Sequence, residues 1–130
     1  MNYRNYYGEN KGAATLLLRL GLGIDLGMHG LVRLPKLSKF ADKMVADFSA
    51  TILPDLVVRL FGLTLPFVEL TIGILLFMGG RFLNWGAILG GITMSALIFG
   101  SALREEWAAV NIQLLHLLAF YFLLRDTERP

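Results

Sequence analysis

The chain has 130 residues, 55% of them hydrophobic and 17% charged, and a mean hydropathy of +0.60, which excludes an ordinary soluble domain, where about a quarter of residues are charged. The net charge of +2 gives no basis for a nucleic-acid partner. With no cysteine, the chain itself has no disulfide framework, thiolate metal site or thiol redox relay.

In chain order, Met1 to Lys11 is polar, and its Tyr3, Tyr6 and Tyr7 suit the headgroup zone, so a short tail at the membrane surface is expected. The first apolar segment, residues 13–34, is long enough to cross a hydrocarbon core of about 30 Å. It contains Asp25 and His29 and lacks a small-residue cleavage site, so it is expected to be retained as a span rather than removed as a signal peptide. Arg19, Asp25, His29 and Arg33 fall on one half of this helix, at spacings that share a side. The remainder is mostly leucine, with Gly21, Gly23, Gly27 and Gly30 permitting close helix approach.

Pro35 closes helix one. The stretch 36–48 separates Leu37, Phe40, Ala41, Met44, Val45 and Phe48 from Lys36, Lys39, Asp42, Lys43 and Asp47, the pattern of an amphipathic helix too short and too charged to span. It is expected in the interface or as a lid over the bundle end, with a solvated connector as the plainer alternative. Helix two, residues 56–78, carries Arg59, Pro66 and Glu69 in an apolar run, and Gly79-Gly80 makes the turn out of it. Helix three, residues 82–103, has no interior charge and many small residues, as close helix packing requires. Trp107 suits an interfacial anchor. Helix four, residues 108–124, encloses Asn111, Gln113 and His116, and the chain closes in a charged tail.

The expected fold is all-α: a single domain over residues 1–130, forming an antiparallel bundle of four transmembrane helices with both termini on one side. Lysine and arginine are distributed evenly between the two sides, so charge bias leaves orientation open.

Counting about 1.5 Å per residue from the end that carries the amphipathic helix, Arg19 and Glu69 both come out about 20 Å deep. They are expected to form a buried ion pair, because an unpaired charge at mid-bilayer costs at least about 2.5–3.5 kcal/mol. The same counting groups Asp25, His29, Arg33, Arg59, Gln113 and His116 at shallower depth, as the wall of a pocket whose floor is the Arg19–Glu69 pair. Such a pocket offers hydrogen bonds or a proton path to a ligand. The plainer reading is that these polar residues only fix helix register. His29 and His116 at similar depth also allow bis-histidine haem ligation, but two histidines without an accompanying motif more often make side-chain hydrogen bonds. A protein-held metal is less favoured still.

Arg19, Gly21, His29-Gly30 and the basic Arg33, followed by Pro66, Glu69-Leu70, Gly73 and Gly79-Gly80, form a pattern that resembles the DoxX family of small four-helix membrane proteins. The resemblance covers roughly residues 19–100. Family members often have lysine where this chain has Arg33, a change that keeps charge but alters hydrogen-bond geometry. The resemblance implies a bacterial cytoplasmic-membrane protein with both termini cytoplasmic, acting as a membrane subunit of a redox or quinone-linked complex. Members similar to the vitamin K epoxide reductase bundle would need a cysteine pair, which this chain lacks. A quinone or lipid-like ligand in the polar pocket is therefore one expectation. Two alternatives stand beside it: a non-catalytic scaffold or assembly subunit packed on another membrane protein through the glycine-rich helix three, and a small-solute or proton transporter acting as an oligomer.

Overall fold

A computed structural model describes the backbone of residues 3–127 and the side chains of residues 11–126. Within them the chain is all-α. Helix α1 runs Tyr3–Arg33, a 3-10 turn covers Leu34–Lys36, and α2 (Leu37–Asp47), α3 (Asp55–Met78), α4 (Arg81–Leu103) and α5 (Trp107–Thr127) follow. Four segments, residues 11–47, 55–78, 81–103 and 107–126, are long and apolar enough to cross a membrane. Large apolar side chains such as Leu17, Ile24, Phe67, Ile74, Trp85, Ile92 and Leu115 are exposed on all four, as a lipid-facing surface requires. The chain is a multi-pass helical membrane protein.

Local chemistry sets the boundaries. Pro35 lies in the 3-10 turn, where its missing N–H removes a helical donor and ends α1. Pro54, in an extended conformation, precedes α3. Gly79 (φ +71°) and Gly80 (φ +56°) turn the chain from α3 into α4, through backbone conformations that L side chains rarely adopt. Two expectations are corrected here. The leader is not a separate tail, because α1 already begins at Tyr3 and carries the polar residues as its first turns; the side chains of Tyr3, Tyr6 and Tyr7 lie outside the described residues. The last helix runs on through Arg125 to Thr127, and residues 128–130 are outside the described backbone.

A shared core joins the helices. Leu22 and Leu26 of α1, Ile72 and Leu76 of α3, Leu83, Ala87 and Met94 of α4, and Phe120 and Leu123 of α5 are all buried together. In lipid there is little hydrophobic gain from such contacts, so association depends on close packing. Glycine supplies it at two crossings. A Cβ on Gly30 would collide with the Pro66 carbonyl oxygen and with Leu70, and one on Gly73 would lie 2.7 Å from the Gly27 Cα, so α1 and α3 touch backbone to backbone. Between α4 and α5, the ring of buried Phe120 occupies the space over Gly90. Lys11 Nζ lies 3.6 Å from Asp126 Oδ1, which places the N-terminal part of α1 beside the last turn of α5.

The α1–α3 register differs from a count that starts both helices at one plane. Arg19 faces Gly79, Gly23 faces Phe77 and Gly73, and Gly30 faces Pro66 and Leu70. The same antiparallel course continues past the 3-10 turn: Ala41 of α2 packs on Gly62, and Asp42 of α2 meets Arg59. The amphipathic segment thus lies lengthwise along the first half of α3 instead of across the bundle end. Its far end is tied to α4, with the Phe48 ring against Gly100, Arg104 5.3 Å from the centre of that ring, and Arg104 Nη2 3.8 Å from Asp47.

Candidate functional site

The close approach at Gly30 brings the end of α1 against the middle of α3. There Arg33 donates through Nη1 to both carboxylate oxygens of Glu69, at 3.0 and 2.9 Å. The Glu69 side chain is only 4% exposed, and the guanidinium also stacks 4.5 Å over the Phe40 ring of α2. Burial removes water from the carboxylate, and the doubly contacted cation replaces it.

This pairing corrects the expected Arg19–Glu69 bridge. Starting α1 and α3 at a common plane puts Arg19 at the level of Glu69, but α2 takes up the outer half of α3, so α1 ends opposite the middle of α3. Arg33 is therefore the residue within reach. Arg19 lies instead at the C-terminal end of α3, its Nη1 2.8 Å from where a Gly79 Cβ would be, a position where the helix dipole favours a cation. Its Nε is buried without a hydrogen-bond partner among the described residues.

Asp25 joins two helices. Its Oδ2 lies 2.8 Å from His116 Nε2 on α5, and its backbone carbonyl accepts from His29 Nδ1 at 2.7 Å, with Oδ1 3.3 Å from the same nitrogen. His116 Nδ1 in turn sits 2.8 Å from the Ile112 carbonyl oxygen. Both ring nitrogens of His116 thus face oxygen acceptors. One turn back on α5, Gln113 Nε2 donates to Ser101 Oγ of α4 at 2.9 Å, while Gln113 Oε1 is buried without a partner.

These groups wall one cavity of about 1000 Å³ between α1, α2 and α3 on one side and α4 and α5 on the other. Asp25, His29, Arg33, Glu69, Gln113 and His116 all line it. The rest of the wall is largely apolar, with Leu26, Leu65, Met94 and Leu97 among its residues. Its volume is at the upper end of the roughly 300–1,000 Å³ found for small-molecule sites.

Arg59 is the one sequence-derived wall residue that the cavity does not include. Its Nη1 contacts Asp42 Oδ1 of α2 at 2.6 Å, and both side chains are substantially exposed. The reason is again the lengthwise packing of α2, which puts a carboxylate beside Arg59 and draws it away from Asp25. Conversely, sequence reasoning missed Phe40, Ser101 and the lysines of α2 as wall residues. The helical period was the available signal: Lys36 at the end of the 3-10 turn and Lys39, Lys43 and Asp47 of α2 follow one stripe, and all four line the cavity. Among the described residues no group of three or more His, Asp or Glu side chains is placed to hold a metal ion.

Comparison of the chain with protein-family models, with characterised proteins and with solved structures finds no match in any of the three.

Proposed function

We propose that this chain is a DoxX-like integral membrane subunit that holds a quinone or lipid-like ligand in the cavity between its helices, as part of a redox or quinone-linked complex of the bacterial cytoplasmic membrane, with both termini cytoplasmic. The observation that carries this reading is the convergence of Asp25, His29, Arg33, Glu69, Gln113 and His116 from three helices onto a single large, mainly apolar cavity. Polar groups at membrane depth are costly and generally serve a site or a path. A ligand headgroup needs a few fixed polar contacts inside an apolar slot. His29 Nε2 and Gln113 Oε1 have no hydrogen-bond partner there among the described residues.

The fit to a quinone ring is chemical. A ring carbonyl accepts hydrogen bonds and a quinol hydroxyl donates them, and the histidine and amide groups of the wall provide both kinds of partner.

The test is to purify the full chain in mild detergent, extract it with organic solvent and analyse the extract by mass spectrometry. The expected result is a quinone or lipid present in stoichiometric amount and depleted when Leu97→Trp fills the cavity. Absence of any such molecule, together with unchanged melting on adding a quinone, would overturn the reading.

A further inference from the structure

We infer that the lipid-like ligand of the cavity is a long-chain amphiphile with an anionic headgroup, which the lysine stripe of Lys36, Lys39 and Lys43 binds. The inference rests on the reading that the cavity is a ligand site, and it names the chemistry of the ligand.

Three observations support it. The first is charge. Arg33, Lys36, Lys39, Lys43 and Arg104 line the cavity, against the carboxylates of Asp25, Asp47 and Glu69. Arg33 is engaged by Glu69, while Lys43 and Arg104 both approach Asp47. Lys36 and Lys39 have no ion-pair or hydrogen-bond partner among the described residues, so the excess positive charge of the wall lies with them.

The second is depth. Lys36 and Lys39 lie between Arg33, which reaches Glu69, and Ala41, which packs on Gly62. Along α3, a candidate membrane span, this interval is about 10–20 Å from the Asp55 end and so falls toward its middle. An ammonium at such depth must reach water or a counter-anion, and residues like this usually face a pathway or site.

The third is the remainder of the cavity. The rest of its lining is largely apolar, and Val57, Phe61 and Phe99 within it are exposed. A free inorganic anion would leave that surface uncovered, and a neutral hydrocarbon would leave the lysines uncompensated. An acidic headgroup on an acyl chain satisfies both at once.

The test measures binding of three probes with matched chains to the full chain in nanodiscs of zwitterionic lipid: oleate, oleyl phosphate and oleyl alcohol. Both anions are expected to bind about tenfold or more tightly than the alcohol, and to weaken as salt is raised. Their relative affinities tell whether a carboxylate or a phosphate headgroup is preferred. In K36Q/K39Q/K43Q the anions should fall to the affinity of the alcohol, while K36R/K39R/K43R retains wild-type binding and so shows that the fold tolerates change along the stripe. In L97W all three probes should lose binding. Equal affinity for the three probes, or anion binding unaltered in the glutamine variant, would overturn the anion site while leaving the cavity reading intact. No saturable, L97W-sensitive binding of any probe would overturn the anion site, and together with an extract free of quinone and lipid it would overturn both.

Discussion

Removing Arg33 strands a carboxylate in the middle of the bundle. The Glu69 side chain is 4% exposed, and Arg33 supplies its two hydrogen bonds. In Arg33→Met the carboxylate loses both hydrogen bonds, and neither Arg19, which lies at Gly79, nor Arg59, which pairs with Asp42, is placed to restore them. The cheapest escape is to take up a proton, which for an ordinary carboxylate at pH 7 costs about 4 kcal/mol. That agrees with the roughly 3–5 kcal/mol lost when one partner of a buried pair is removed. Glu69→Leu should cost less, because the Arg33 side chain is 27% exposed and can turn into the cavity while keeping its contact with Phe40. In the double variant Arg33→Met/Glu69→Leu no charge is stranded, and stability should return to within about 1–2 kcal/mol of wild type. Reversible unfolding in mixed micelles, followed by circular dichroism, measures all three. A double variant as unstable as the sum of the singles would refute the pairing, as would rescue of Glu69→Leu by Arg19→Met and not by Arg33→Met.

The same unfolding assay serves two further comparisons. Gly30→Ala and Gly90→Ala, which drive a methyl into the Pro66 carbonyl and the Phe120 ring, should each lose about 1–3 kcal/mol, whereas Gly21→Ala, with nothing within 4 Å, should be neutral or slightly stabilising; equal effects at all three would contradict the described crossings. Arg59→Gln should cost under about 1 kcal/mol, because its contact with Asp42 is exposed and solvent-screened; a loss of several kcal/mol would place Arg59 in the polar interior after all.

Much of this fold is legible in the sequence because its strongest signals are local. Apolar runs of membrane length, Pro35 and Pro54 at breaks, and the Gly79-Gly80 turn specify four spans and their order without tertiary information. The small residues at Gly27, Gly30 and Gly73 likewise announce a close crossing. Register is different, because it depends on where a neighbouring element lies. Counting depth from helix ends leaves no place for α2 beside α3, and this single omission paired Arg19 with Glu69 and put Arg59 in the pocket. Asp25 and His116, which the same count grouped at similar depth, do meet across α1 and α5. The lysine stripe was visible as a period but not as a wall: which way α2 turns is set by the packing of Ala41 on Gly62, a contact that neither residue announces by itself.

The central claim is that the cavity walled by Asp25, His29, Arg33, Glu69, Gln113 and His116 holds a ligand. Native mass spectrometry of the protein released from mild detergent tests it most directly. Wild type is expected to carry a bound small molecule that is lost from Leu97→Trp while that variant keeps its helical content. Wild type and variant each appearing only at the mass of its own bare polypeptide would contradict it.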